Sequence, residues 1–473
     1  MAKGTQFDLT PKAVPMVHTK YRTIQTPIPN EQSVEIIERL RKYEPRSMSG
    51  QPPVVWDRAS GINVFDAQGN RWIDFSSCVV VANAGHCNPE VQDAIVKMTE
   101  HGLLNNYVFP SEIRSRLVEQ IVAVAPEGLD KVFLLTTGAE STECAIKLAR
   151  TFTRAQDPEK NIVVTFLDAF HGRTLGSQMA GGSANDKRWI RNLDPDTIQI
   201  PFPNSFKYEW ADQSRADYSD DVCFQKMMDA LKDAGVTNFD KISAIMTETF
   251  QGGWCELMPS GVLRKLREFC DAHQIILIYD EVQGGFGRTG KMFGFMHAGI
   301  VPDLVCCGKG ISSSLPLSCV IGRQDIMDTY GPGEMTSTHT GNPLSCAGAL
   351  ASIRYILEHD LVGHCAEMEK VAAKRVAAIK EKYLEHIGFA KGVGLAWAIV
   401  PVVPGTRELD CAFAHDVVRI CMEKGVLMFA PVGSGATLKI APPLVIEEEA
   451  LNEALDVLDE AIAQAVKERG ESV

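Results

Sequence analysis

Two residues of opposite charge offer chemistry before anything else is known of the chain. In "IILIYDEVQGGFGRTG" an apolar run, residues 275–279, delivers Asp280 at its end and gives way to a glycine-rich loop. In "PDLVCCGKGI" a second apolar run delivers Lys309 between Gly308 and Gly310. A carboxylate at the end of a buried strand is costly unless something pairs with it. An amine held on a tight turn is a nucleophile that can condense with a carbonyl. The pair is either a structural ion bridge or the two ends of a grip on one bound molecule.

Two further stretches bear on that choice. In "TTGAESTECAIK", Gly138 and Ala139 open a helix directly after the strand "VFLLT", with Thr137 and Ser141 as nearby hydroxyls. Backbone N–H groups at a helix start suit a phosphate, although a capped helix after a strand is ordinary by itself. In "FLDAFHGRTLG", Phe170 stands beside His171 after the next strand, where an aromatic ring either stacks on a flat heterocycle or belongs to the core. Arg173, in the same loop, has the planar fork that clamps a carboxylate. An anion cradle, an aromatic, an acid and an amine at successive strand ends are together what pyridoxal phosphate requires. In that scheme Asp280 keeps a pyridine nitrogen protonated and Lys309 condenses with the aldehyde.

The elements that must position these residues follow from patterning. From Lys131 onward, apolar strands ("VFLLT", "NIVVTFL", "ISAIMTE", "IILIYD", "LVCCGK", "LSCVIG") alternate with helical segments such as "AESTECAIKLARTFTRA" and "SGVLRKLREFCDAH". Such alternation predicts a mainly parallel sheet covered by helices on both faces, with ligands beyond the carboxyl ends of its strands. Upstream, "VVWDRASGINVFDAQGNRWIDF" reads as a small antiparallel meander turning at "DAQGN". Downstream, amphipathic helices alternate with "GLAWAIV", "VLMFAP" and "TLKIA", a smaller α+β lobe.

At 473 residues the chain is too long for one ordinary domain. Its 45% hydrophobic and 23% charged residues are those of a globular protein, and a net charge of −13 argues against nucleic acid or an anionic membrane as partner. No apolar run approaches the ~20 residues of a membrane span. The N-terminal "MAKGTQFDLTPKAVPMVHTKY" lacks the apolar core of a secretory signal, so a cytoplasmic location is expected. Thirteen scattered cysteines form no zinc-type CxxC pair, which predicts reduced, mostly buried thiols and no metal site.

From "PVVWDRASGINVFDAQGNRWIDF" through "NAGHCNPEV", "DEVQGGFGRTG", "PDLVCCGKGI" and "TGNPLSCAGALA" to "APPLVI", the chain resembles the class III pyridoxal-phosphate aminotransferases, which include the 4-aminobutyrate and ornithine enzymes. The resemblance implies a type I fold: a large α/β domain at 76–342 with a mainly parallel sheet, and a smaller α+β domain from both termini, 1–75 and 343–473. It implies that Lys309 holds the cofactor covalently and that Asp280 pairs with its ring nitrogen. Val282 and Phe170 would flank the ring, Gln283 would sit near the ring hydroxyl, and Gly138 with Ala139 would bind the phosphate. His171 and Glu248 would complete the cofactor site, and Thr338 in "STHTGNP" would reach the phosphate from a partner subunit. A homodimer with shared active sites, or a tetramer built from it, follows from the same likeness. Val79, Arg173 and Lys439 fall at substrate-facing positions.

The implied reaction moves an amino group from an amino acid or amine, with ω-amino acids favoured by Arg173, to a 2-oxo acid. Two departures bear on the substrate. The loop "QGGWCELMP" lacks the family's gate glutamate, and Lys439 in "TLKIAPPLVI" replaces the arginine that glutamate masks. Amino-acid racemisation or epimerisation on the same scaffold is the alternative activity, since such an enzyme needs no gate. A non-enzymatic module would be expected to lose Lys309 or Asp280, and both are present.

Overall fold

The computed structural model describes residues 6–433 and 435–470. They divide into two compact units: one comprises the chain up to Asn88, Gly253–Cys255 and the chain from Gly363, the other Pro89–Gly252 and Glu256–Val362. The sequence-based cuts at 75/76 and 342/343 group residues 76–88 and 343–362 differently. The reason for the second difference is the helix Pro343–Glu358, buried at positions around much of its circumference and packed on the helices Pro89–His101 and Glu112–Val124 of the larger unit.

The larger unit is organised by a seven-stranded sheet in the order Lys131–Leu135, Ser318–Gly322, Leu304–Cys307, Ile276–Asp280, Ile242–Glu248, Ile162–Phe166, Thr197–Ile200. Ser318–Gly322 runs antiparallel to both its neighbours, and the other pairings are parallel. Every residue of Ile242–Glu248 and of Ile276–Asp280 is buried. Strands apolar on both faces demand helical cover. The helix Gly138–Gln156 supplies part of it, packing Ala145, Leu148 and Ala149 into one cluster with Met246, Ile278 and Cys306. Full burial of each large aliphatic side chain contributes about 1.5–3 kcal/mol.

Register then decides where the chemistry stands. Asp280 pairs with Glu248 on one side and Cys306 on the other. Two carboxylates therefore end neighbouring strands side by side, and Lys309 emerges just past the end of the third.

The smaller unit contains two sheets. Val17–His18, Thr23–Ile24, Arg71–Asp74, Asn63–Phe65 and Arg58–Ser60 form one, joined by Val426–Leu427 running parallel to Arg71–Asp74. Segments from both ends of the sequence thus share one core, in which Trp72 donates its indole N–H to the Met422 carbonyl at 2.8 Å. Ile387–Val393, Ala396–Pro401 and Leu438–Ile440 form the antiparallel second sheet.

Candidate active site

At the end of the strand Ile276–Asp280, Asp280 is 6% exposed and each of its two oxygens has one partner. Its Oδ2 lies 2.8 Å from His171 Nδ1, and its Oδ1 accepts from the Val282 N–H at 3.0 Å. Burial alone would lower the His171 pKa, but the hydrogen bond and charge of Asp280, with the charge of Glu248, turn the shift upward. With a carboxylate oxygen opposite it, Nδ1 is the donor and Asp280 the acceptor. His171 Nε2 is buried with no hydrogen-bond partner among the described residues. On the next strand, burial pushes the Glu248 carboxyl up to about 7, against the pull of His171. Glu248 accepts from the Phe170 N–H at 3.2 Å and the Gly252 N–H at 3.3 Å, and so ties the Phe170 loop to the loop that follows its own strand.

Around this charged floor the surfaces are flat and tight. Phe170 is 44% exposed, and the Arg173 guanidinium lies 5.5 Å from its ring centre. Val282 stands between two glycines: a Cβ on Gly138 would come within 3.0 Å of it, and one on Gly308 within 3.3 Å. A Cβ on Gly252 would collide with the Gln283 amide. Lys309 is half-buried and adopts φ 46°, a left-handed conformation that costs a non-glycine residue about 1–3 kcal/mol. Strain of that size persists only where the surroundings over-determine it.

Thr137 and Glu140 close a capping box at the start of Gly138–Gln156, with Thr137 N–H donating to the Glu140 carboxylate at 2.8 Å. The first two helical N–H groups, those of Gly138 and Ala139, are left for an anion. Thr338 is exposed in the loop that precedes Pro343–Glu358. A buried carboxylate hydrogen-bonded to an imidazole, an exposed ring, a helix start and a lysine on a strained backbone suit pyridoxal phosphate, and His171 Nε2 is a buried polar atom with no partner among the described residues.

The remaining substrate-facing candidates lie in the smaller unit. Ser77, Cys78, Val79 and Val80 all have positive φ, from 47° to 63°, and form a left-handed turn. At about 1–2 kcal/mol per residue such a turn needs strong anchors. Ser76 N–H donates to Asp74 Oδ1 at 2.7 Å, Val80 N–H to the Ser76 carbonyl at 2.9 Å, and Ser77 Oγ to the Ala441 carbonyl at 2.6 Å. The turn leaves Val79 52% exposed. Lys439, two residues before Ala441, is 4% exposed within its strand, deeper than a lysine openly facing solvent. Thr437 Oγ1 donates to the Gly253 carbonyl at 2.7 Å, and Trp254 packs edge-on to Phe389 at 5.6 Å. The segment around Gly253 is thus fastened beside the strand of Lys439. The acid further along that loop, Glu256, is buried and accepts from the Ser205 N–H at 2.9 Å.

A mainly parallel sheet of this order, with an acid and an amine at adjacent strand ends, defines the class: a type I pyridoxal-phosphate-dependent enzyme. The family model of class-III aminotransferases matches residues 46–462, and the chain belongs to that family. It is 33% identical to the acetylornithine aminotransferase of Methanopyrus kandleri over 90% of this chain and 98% of that protein. It is 32% identical to the 4-aminobutyrate aminotransferase of Mycobacterium leprae over 92% of this chain and 97% of that protein. Among solved structures, a transaminase from a marine Virgibacillus superposes with a TM-score of 0.82 at 26% identity, covering 92% of this chain and all of that one. The chain is accordingly a pyridoxal-phosphate-dependent transaminase.

Sequence reasoning missed Glu281. It is wholly buried, and its Oε1 accepts from Thr249 Oγ1 and, at 3.1 Å, from the Phe295 N–H. Its position directly after Asp280 was the available signal. Burial pushes its carboxyl up to about 7, against those hydrogen bonds. Because the folded value lies above the ordinary 4.5, its contribution to stability is complete below pH 4.5 and is lost as the pH rises through about 7. The loss amounts to about 3 kcal/mol. Glu281→Gln, neutral throughout, should therefore lose less stability than the parent between acidic and alkaline pH. Urea denaturation across that range checks this, and equal slopes for the two proteins would refute it.

Proposed function

We propose that this transaminase takes its amino group from an ω-amino acid and passes it to a 2-oxo acid, with Lys309 as the covalent anchor of the cofactor and Asp280 as the partner of its ring nitrogen. The observation that carries the assignment is the buried Asp280–His171 pair, one strand away from the strained Lys309. When bound, pyridoxal phosphate supplies an electron sink for the pair of electrons released at the donor carbon. Asp280, hydrogen-bonded to His171, would hold the proton on the ring nitrogen. Val282 and Phe170 would orient the ring, and Gln283 would hold its hydroxyl. Gly138 and Ala139 would fix the phosphate through their N–H groups. Glu248 acts behind these residues, through its bond to the Phe170 N–H. Lys309 Nζ would be the base that removes the proton from the donor carbon.

Arg173 supports the ω-amino acid assignment, because an exposed guanidinium beside Phe170 suits a carboxylate remote from the reacting amine. The names of the acetylornithine and 4-aminobutyrate relatives point the same way. The family resemblance adds Val79 and Lys439 as substrate-binding residues in this reading. The active form is a homodimer in the cytoplasm, with Thr338 of the partner subunit closing over the phosphate; its exposure in a single chain is compatible with that role. A donor and acceptor screen that records both half-reactions, with solvent deuterium at the donor carbon, tests the whole reading. Deuterium exchange with no amino transfer to any 2-oxo acid would replace it with racemisation.

Three outcomes are expected at single residues. Borohydride should fix the cofactor to the peptide containing Lys309, and labelling of another lysine removes that assignment. Asp280→Asn should slow the chemical step by about 3–5 kcal/mol, the cost of breaking a buried charge pair, while the phosphate cradle preserves part of the cofactor affinity. Near-normal turnover in that variant would exclude the electron-sink role. Lys439→Ala should raise KM for the carboxylate substrate by the equivalent of one charge-assisted hydrogen bond, about 1.5–3 kcal/mol. Lys439→Arg should tighten the same substrate and slow its release, since an arginine grips a carboxylate with two parallel hydrogen bonds. Unchanged KM in both variants would take Lys439 out of the site.

A further inference from the structure

Arg173 stands in a loop bolted to the helix Gly138–Gln156 at several points. Thr142 Oγ1 donates to the His171 carbonyl at 2.8 Å, just before the arginine. Gly172, at φ +139°, presses so close that a Cβ there would come within 2.6 Å of Ala139 Cβ. Just after the arginine, one carboxylate oxygen takes over. Glu143 Oε1 accepts from Thr174 Oγ1, from the Gly176 N–H at 3.1 Å and from the Ser177 N–H at 3.2 Å. The short helix Leu175–Ala180 begins at Thr174, whose own side chain caps none of its N–H groups. Glu143 caps it from another element, which is an unusual amount of convergence for a half-buried acid.

We infer that Glu143 is a positioning residue for the carboxylate clamp: by gathering Thr174, Gly176 and Ser177 onto one oxygen, it sets where Arg173 meets the distal carboxylate of the donor. This rests on the assignment of Arg173 above. Three donors sharing one anionic acceptor make a stiff joint, because charge-assisted hydrogen bonds are roughly twice as strong as neutral ones. The helix start adds its partial positive charge to the attraction. Arg173 is one residue from this joint and two from the carbonyl held by Thr142, so its backbone has little freedom even though its side chain is exposed. The same helix offers the Gly138 and Ala139 N–H groups, so clamp and anion cradle are set on one rigid body. A misplaced clamp costs binding of the carboxylate, whereas a donor without one never uses it.

The experiment compares 4-aminobutyrate with butylamine, a donor of equal length lacking the carboxylate, in the holoenzyme. Glu143→Ala should lower kcat/KM for 4-aminobutyrate about tenfold or more through KM, and leave butylamine within about twofold. Cofactor affinity, read from the visible absorbance on dialysis, should be unchanged. Glu143→Gln retains an acceptor oxygen and should recover most of the loss. If Glu143→Ala folds poorly, Thr174→Val removes one of the three donors at nearly constant shape and should show a smaller loss with the same substrate bias. Equal losses with both donors, or a weakened cofactor, would reduce Glu143 to a structural cap and overturn the inference. Arg173→Ala separates the two levels. If it fails to discriminate the donors, the clamp reading falls and this inference with it. If it discriminates and the Glu143 and Thr174 variants do not, only this inference falls.

Discussion

A charge buried at the end of a central strand is the constraint on which the rest of this structure depends. Asp280 cannot be taken out of water alone, and the imidazole of His171 makes its burial tolerable. That requirement reaches outward. His171 has to arrive from the loop after Ile162–Phe166, two strands away in the sheet, and the loop is held by Thr142 and Glu248. The strand itself must be parallel and covered on both faces, so that its carboxyl end opens where neighbouring strands end too. Lys309 then emerges beside it from Leu304–Cys307, with the strain of its backbone borne by the same sheet.

Much of this was readable in the sequence because each feature is local. Uninterrupted apolar runs closed by Asp280 and by "GKG" mark buried strand ends without any tertiary information, and the alternation with helices sets the fold class. The features that escaped are those that tertiary contacts create. The edge strand Thr197–Ile200 is four residues long and mostly half-buried, too short for a pattern to emerge. Ile387–Val393 contains Gly388 and Gly392, which weaken any strand signal, and it forms because Ala396–Pro401 folds back on it. The helix Pro343–Glu358 could not be assigned to its unit from its own residues, since apolar positions spread around the helix point in no single direction.

At the site the same division holds. Asp280, Lys309 and the helix start at Gly138 declare themselves by position, whereas the bond from His171 to Asp280 joins residues 109 apart in the chain. The left-handed turn Ser77–Val80 was invisible for a physical reason: "SCVV" contains no glycine, and β-branched residues argue against positive φ. Anchors at Asp74 and Ala441 impose it. That turn, the strand of Lys439 and the segment around Gly253 are hydrogen-bonded together inside the smaller unit. The turn at Val79 and the strand of Lys439 are therefore parts of one hydrogen-bonded assembly.

Nitrogen-15 NMR of the histidine-labelled holoenzyme, with the His171 signals assigned by their absence in His171→Asn, tests the buried pair most directly. A proton on Nδ1 that persists from about pH 6 to 8 is the expected result, since Asp280 holds it there in either charge state of the ring. An unprotonated Nδ1 anywhere in that range would mean that Asp280 is not its anionic acceptor, and the electrostatic basis assigned to the site would be wrong.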